Sequence, residues 1–132
     1  MNPPAVAFGA DLLVSLRTLF SLAAVDPQVN GVTSGVSRTL YRTNTGVFSS
    51  FTAPFSLAGL DGPRTIEFFS QDNVLNAEVL KSSSVLLDAT APEAVLLSPA
   101  VGSSGICSVV KGLFPVLGAI QDAHLRDYQL EV

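Results

Sequence analysis

Turn-forming segments interrupt this chain at regular intervals from residue 25 onward. Short runs rich in Val, Thr, Phe, Tyr, Ile and Leu separate them at about 8–12 residues, which is the spacing of an all-β sandwich or barrel. The 10 Gly and 8 Pro residues also favour many turns over long helices. The turn segments read DPQVNG, TNTG, GLDGP, QDNVLN, DATAP and SPAVGSSG. The pattern therefore predicts an all-β fold.

The stretch from residue 11 to residue 24 also fits a helix. Leucines recur at positions 12, 13, 16, 19 and 22, which is close to helical spacing. The same stretch fits two short strands, because Phe20, Leu22 and Ala24 fall on one face of an extended chain. Its β-rich neighbours favour the strands.

The pattern predicts a series of strands before residue 92. Ile66 and Phe68 are expected on a core face, and Val79, Val85 and Leu87 are expected to share one buried face of the last strand. The predicted strands are Ala5–Phe8, Thr18–Ala24, Val36–Arg42, Phe48–Phe51, Phe55–Leu57, Arg64–Ser70 and Glu78–Leu87.

The segment DATAP is predicted to be a linker, because Pro92 forces the residue before it out of helical geometry. After it the opening pattern begins again in AVLLSP, SVVKGLFPVLG and YQLEV. The sequence therefore predicts one module over residues 1–92 and the first strands of an incomplete second module over residues 93–132. Strands without partners leave open edges, so the second module is expected to lie against the first or to pair with another chain.

The charge distribution excludes two classes of partner. The chain has 7 basic and 11 acidic residues, a net charge of −4, and its basic residues are scattered. Nucleic acids and anionic membranes require clustered cations, so neither is expected as a partner. Membrane insertion is not expected either, because no apolar run approaches the ~20 residues of a spanning helix.

The single thiol, Cys107, cannot form an intramolecular disulfide. It could act as a nucleophile only with a base and an orienting group, and His124 is the one histidine in the chain. A small buried strand residue is the preferred interpretation of Cys107. The carboxylates also show no spacing typical of a glycosidase pair, so no enzyme activity, catalytic residue or cofactor is predicted.

Four aspartates lie in turns or at strand ends: Asp26, Asp61, Asp72 and Asp88. Several could converge on Ca²⁺, which takes six to eight oxygen ligands. Turn capping is preferred, because no Asp-x-Asp-x-Asp spacing occurs and aspartate commonly bonds nearby main-chain amides. No metal site is predicted.

Two pairs of residues are expected to hold local structure. Asp72 and Asn76 are expected to brace the turn before the last strand, whereas Asp88 and Thr90 are expected to order the linker.

Three phenylalanines, Phe48, Phe51 and Phe55, lie close together in the sequence. They could form an exposed stacking platform for carbohydrate. A core cluster is preferred, because Phe lacks the polar group of Tyr or Trp and the chain has no Trp.

The motifs from residue 3 to residue 92 resemble, in order and spacing, an immunoglobulin-like repeat of bacterial secreted and cell-surface proteins. Such repeats are similar to fibronectin type III and chitobiase C-terminal modules. The Ser21–Pro27 stretch matches the second strand and loop of these repeats. The other matching segments are Ser34–Val36, Tyr41–Arg42, Pro54–Phe55, Gly59–Gly62, Thr65–Phe68, Ser70–Asp72, Asn76–Glu78 and Asp88–Pro92.

The resemblance implies an Ig-like Greek-key β-sandwich of about seven strands and an extracellular or cell-surface location. One turn departs from the pattern, because Leu75-Asn76 replaces the usual Gly-Asn. A positive φ at Leu75 is therefore expected, which is strained for a residue with a side chain.

The resemblance implies a structural or adhesive function, as a spacer or interaction module that contacts neighbouring Ig-like modules or a protein partner. A second hypothesis is an accessory module of a secreted hydrolase, which binds carbohydrate or stabilises the catalytic domain. A third is self-assembly, in which residues 93–132 donate strands to a neighbouring chain and form a homo-oligomer.

Overall fold

The computed structural model describes residues 6–8, 11–98, 111–113, 115–125 and 127–129. The chain forms two compact units, Met1–Ala89 (unit 1) and Thr90–Val132 (unit 2). The described residues contain eight strands: β1 Val6–Phe8, β2 Asp11–Ser15, β3 Val36–Thr43, β4 Ser49–Ser50, β5 Gly62–Asp72, β6 Lys81–Asp88, β7 Glu93–Ser98 and β8 Leu117–Gln121. Within this described part, no helix is long and apolar enough to span a membrane.

Unit 1 is built on one mixed sheet with the strand order β1-β2-β6-β5-β3-β4. The longest ladders are antiparallel and join β3 to β5 and β5 to β6. The pair β2–β6 is parallel, with Leu13 opposite Leu86 and Val14 opposite Leu87. The sheet therefore places a strand from the beginning of unit 1 directly beside the strand that ends it.

The core of unit 1 lies on one face of this sheet. Its buried side chains are Val14, Leu57, Ile66, Val85 and Leu87. Side chains two residues apart in a strand point to the same face, which is why Val85 and Leu87 of β6 are both buried whereas Leu86 between them is half-buried. Leu57 lies outside the strands, so irregular chain covers the sheet on this face.

Aromatic side chains extend the covering layer. Phe20 and Phe55 are joined by two main-chain hydrogen bonds of 2.8 and 3.1 Å, and their rings stack at 5.7 Å. Phe55 also stacks on Tyr41 of β3 at 4.0 Å. Phe20, Phe55 and Phe68 pack against the buried cluster. The covering layer is thus held to the sheet by rings and by one isolated β-bridge.

The opposite face of the sheet carries polar and aromatic contacts. Arg42 of β3 forms an ion pair with Glu67 of β5 at 2.5 Å, and its guanidinium lies 4.6 Å from the centre of the Phe48 ring. Phe48 in turn meets Phe69 edge to face at 5.2 Å. In β5, Ile66 and Phe68 thus lie on the covered face, whereas Glu67 and Phe69 lie on the more polar one.

The all-β prediction is confirmed. Predicted strands at Val36–Arg42 and Arg64–Ser70 are present and extend further, and Ile66 and Phe68 lie on the core face as expected. The predicted strand Glu78–Leu87 begins later, at Lys81.

Three details of the prediction are wrong. Thr18–Ala24 and Phe55–Leu57 are not strands; they meet only at the Phe20–Phe55 bridge. Val79 is 85 % exposed, because it precedes β6 and does not share its buried face. Consequently the structure has a mixed sheet under an irregular layer, not a clear Greek-key sandwich with two complete sheets.

Unit 2 contains the antiparallel pair β7–β8, with Ala94 opposite Ile120 and Val95 opposite Ala119. Its strand side chains are exposed or half-buried, and Leu96 is 48 % exposed. β7 corresponds to the first predicted strand after Pro92, whereas β8 overlaps only the last two residues of the second and lies mostly beyond it. Cys107 and most of the predicted YQLEV strand lie outside the described residues.

Candidate functional site

Three carboxylates line one groove of unit 1, and we call them the carboxylate rim: Asp26, Asp72 and Glu78. The groove has a volume of about 470 Å³. One side is formed by residues 23–27, and the other by the end of β5 and the segment that leads into β6. The rim therefore brings together residues that lie more than 40 positions apart in sequence.

Asp26 closes the loop that precedes β3. Its Oδ2 accepts hydrogen bonds from the Thr33 hydroxyl at 2.8 Å and from the main-chain amides of Ser34 and Gly35 at 3.0 and 2.8 Å. The Ser34 hydroxyl adds a fourth contact at 3.3 Å. One carboxylate thus satisfies two main-chain donors that the loop leaves without strand partners.

A tight turn within this loop brings the chain back towards Asp26. Val29 and Val32 exchange two main-chain hydrogen bonds of 3.0 Å each. Between them Asn30 has φ +53° and Gly31 has φ +79°. Asn-Gly is a favoured sequence for a two-residue hairpin turn, because both central residues need positive φ.

Asp72 and Asn76, which were singled out in the sequence, are bonded to each other. Asp72 Oδ1 accepts the main-chain amides of Val74 and Asn76 at 3.0 and 2.8 Å, and its Oδ2 accepts the Asn76 side chain at 2.8 Å. Leu75 has φ +71°, which confirms the expectation of a left-handed residue at this position. The bonds to Asp72 hold the turn despite that unfavourable conformation.

Asn73 joins the turn to the loop before β3. Its side-chain amide donates to the carbonyl oxygens of Ser34 and Gly35 at 2.7 and 3.2 Å, and its main-chain amide donates to Gly35 at 3.1 Å. Sequence reasoning did not identify Asn73. The contact spans 38 residues, and only the β3–β5 pairing brings the two segments together.

Glu78, also missed in the sequence, fixes the segment before β6. Its Oε1 accepts the main-chain amide of Ser70 at 2.8 Å, and its Oε2 forms an ion pair with Lys81 at 2.5 Å. The Glu78 amide bonds the Ser70 carbonyl in return. Glu and Lys three residues apart are a weak sequence signal, because exposed ion pairs of this kind are common and contribute little stability.

The pKa of every rim carboxyl lies below its ordinary value. Bonds from Thr33, and then from Gly35 and Ser34, lower the pKa of Asp26 against a smaller effect of desolvation. Desolvation raises the pKa of Asp72, but the hydrogen bonds from Asn76, Ser34 and Val74 together outweigh it and the net shift is downward. The bond from Lys81 is the main cause of the lowered pKa of Glu78.

The rim carboxylates are therefore ionised at neutral pH. A general acid needs a pKa near the working pH, and these groups are shifted in the opposite direction. The rim carboxylates can therefore accept hydrogen bonds and carry a fixed negative charge.

The remaining residues singled out in the sequence lie elsewhere in the chain. Asp88 is half-buried at the end of β6 and lies opposite Ser15 in the parallel ladder. Thr90 is exposed and begins unit 2. Asp61 accepts the main-chain amide of Ala89 at 2.6 Å, so an aspartate far from Asp88 in sequence holds the chain at the end of unit 1.

The three phenylalanines fall on different surfaces. Phe51 meets Tyr41 and Phe55 edge to face at 6.2 and 6.4 Å in the covering layer. Phe48 lies instead with Phe69 and Arg42. They form neither one stacking platform nor the single core cluster preferred from the sequence, because Phe55 packs against the core whereas Phe48 lies on the opposite face of the sheet.

Comparison with known proteins gives no relative: no family model, no curated protein and no solved structure matches this chain.

Proposed function

We propose that this chain is a non-enzymatic structural or adhesive spacer or interaction module of an extracellular or cell-surface protein, and that unit 1 resists mechanical force. Unit 1 is a divergent Ig-like module in this proposal, with the Phe20–Phe55 bridge in the place of a complete second sheet. The order of its sequence motifs supports this assignment. Neighbouring modules or a protein partner are the expected contacts.

The parallel pair β2–β6 is the observation that supports a mechanical role most directly. β2 lies near the beginning of unit 1 and β6 ends it, with Leu13, Val14 and Ser15 opposite Leu86, Leu87 and Asp88. Val14 and Leu87 are buried beside each other under the covering layer. The β2–β6 ladder and the buried apolar side chains beside it thus join the beginning of unit 1 to its end.

Parallel pairing determines how this ladder carries force. β1 precedes β2 and forms an antiparallel pair with it, which detaches first under tension. Tension then enters the beginning of β2 and the end of β6, which lie at opposite ends of the ladder because the strands run in the same direction. The force then acts along the strands and loads the hydrogen bonds together. An antiparallel pair pulled at its open end would instead lose its bonds one after another.

Single-molecule force spectroscopy tests the proposal. The full chain is pulled by handles at its two termini, and unit 1 is expected to unfold in one discrete event. The chain released between Ser15 and Asp88 adds about 250 Å of contour length at 3.3–3.6 Å per residue. Gradual lengthening without such an event would overturn the proposed mechanical role.

Substitution of two matched valines distinguishes the unfolding force from the free energy of unfolding. Val14 lies in the β2–β6 ladder, whereas Val85 is equally buried in β6 but pairs with Arg64 of β5. Val14→Ala and Val85→Ala remove the same two methyl groups, so urea unfolding is expected to give similar stability losses. Only Val14→Ala is expected to lower the unfolding force strongly. Equal loss of force in both variants would contradict the proposed force path.

A further inference from the structure

An extended segment without ladder partners among the described residues borders the groove of unit 1. Side chains from Leu19 to Pro27 alternate between exposed and half-buried at every residue. Alternation with a period of two is the pattern of an extended chain with one face against the protein. The segment Ser21–Val25 is therefore strand-like, although it belongs to none of the ladders among the described residues.

The main chain of this segment is available for pairing. In the described structure no main-chain amide or carbonyl of Ser21–Val25 takes part in a hydrogen bond. Phe20 just before it uses its amide and carbonyl to bond Phe55. Because successive residues of a strand point to opposite edges, Ser21, Ala23 and Val25 direct their main-chain groups away from Phe55.

Nothing in the side chains protects this edge. Natural edge strands are usually blocked by a charged residue, a proline or a bulge. Ser21–Val25 reads SLAAV and contains neither charge nor proline. Its exposed side chains are small, so a second strand can approach the main chain closely.

The charge of the adjoining groove indicates the chemistry of an added strand. Ala23, Ala24 and Val25 line the groove together with the carboxylate rim. Three carboxylates face one cation, Lys81, among the residues that form it. An extended chain that carries basic side chains complements this charge, whereas an acidic chain is repelled.

We propose that Ser21–Val25 is a strand-addition site that binds an extended, basic segment of a partner protein. Main-chain hydrogen bonds to Ser21, Ala23 and Val25 supply the pairing, and the carboxylate rim selects basic side chains. This assignment rests on the proposed interaction role of unit 1 and names the class of partner.

A synthetic peptide Val-Lys-Val-Lys-Val, capped at both ends, is the probe. Binding to the full chain is measured by NMR shifts and by hydrogen exchange of the Ser21, Ala23 and Val25 amides, which are expected to become protected. The counterpart Val-Glu-Val-Glu-Val is expected to bind at least about tenfold more weakly, or about 1.4 kcal/mol. A basic peptide N-methylated at alternate amides is expected to lose binding, because it cannot complete the ladder. Equal binding of all three peptides would overturn the proposal.

Two adjacent proline variants serve as a matched pair. Ala23→Pro removes a donor from the open edge, whereas Ala24→Pro removes one from the edge towards Phe55. Loss of binding in Ala23→Pro alone supports the site, and equal binding in both variants contradicts it. If either variant fails to fold, as judged by circular dichroism, the peptide comparison on the unchanged chain decides.

Two further outcomes would also overturn the assignment. Concentration-dependent association without peptide, seen by light scattering, would make a second copy of the chain the occupant of the edge. If unit 1 unfolds in a discrete event in the force experiment but no peptide binds, the strand-addition site is wrong and the proposed mechanical role stands.

Discussion

The two units of this chain bury the side chains of their sheets to very different extents. Unit 1 places side chains from β2, β5 and β6 under a covering layer, and Leu87 is completely buried. In unit 2 the described strands form a two-stranded pair whose side chains all remain at least partly accessible. Hairpins of two strands are marginal in water, whereas three or more strands with a covered face are stable. Stability is therefore expected to be concentrated in unit 1.

The largest effect is expected for the first of two leucines, of which one is buried in unit 1 and the other is exposed in unit 2. Leu87→Ala in β6 removes a fully buried side chain and is expected to cost about 2–5 kcal/mol of unfolding free energy. Urea unfolding followed by circular dichroism measures the loss. A loss of unfolding free energy smaller than that of an ordinary surface substitution would mean that the buried contacts between β2 and β6 do not stabilise unit 1.

The carboxylate of Asp26 gives the next test, because it closes a long loop in unit 1. Asp26→Asn is expected to lower the melting temperature at pH 7. The folded-state pKa of Asp26 is lowered from about 3.8, so its stabilisation is present above that pH and is lost as the pH falls through the folded pKa. The difference between the two proteins should therefore shrink below pH 4.

Asp122→Asn is the counterpart of that variant in unit 2. Its carboxylate accepts the main-chain amide of His124 at 2.6 Å, whereas Asp26 accepts two amides and two hydroxyls. A smaller change in melting temperature is expected for Asp122→Asn. A larger change would reverse the ranking of the two units.

A stabilising variant is expected at the strained turn of unit 1. Leu75 is 73 % exposed and has φ +71°, so Leu75→Gly is expected to relieve strain and raise the unfolding free energy by about 1 kcal/mol. Val74→Gly, next to it and also exposed, lacks that strain and should destabilise slightly. If both glycine substitutions change the unfolding free energy in the same direction, the conformation of Leu75 does not measurably destabilise unit 1.

The smallest expected effect completes the comparison of the units. Leu96→Ala in β7 removes a side chain that is 48 % exposed and should change the main unfolding transition by less than about 0.5 kcal/mol. Measured beside Leu87→Ala, it tests whether burial explains the difference. A comparable loss in both variants would mean that unit 2 contributes to the same cooperative transition.

Local patterns gave the strands of unit 1 that have strong alternation. β3 and β5 could be predicted because β-branched and aromatic residues alternate between turn segments, and Ile66 and Phe68 followed from the same parity. The positive φ at Leu75 could be predicted from the resemblance to Ig-like repeats, which implies a glycine at this position. Each of these signals is contained within about ten residues.

The candidate site was less accessible to sequence reasoning. Asp26, Asp72 and Asn76 were recognisable as turn residues, but their grouping was not. Asn73 and Glu78 gave no usable signal, since their partners in the fold lie at the Ser34–Gly35 segment and at Ser70. Only strand pairing brings such groups into one groove.

The sequence by itself determined the fold class, the main strands and the local turn conformations, because alternation and turn chemistry act between near neighbours. The tertiary structure decided that β2 pairs in parallel with β6, that Ser21–Val25 belongs to no ladder among the described residues, and that three carboxylates share a groove. Those features depend on contacts across many tens of residues. Long-range pairing selects among several arrangements that the same local pattern allows, and both the proposed force path and the strand-addition site arise from that selection.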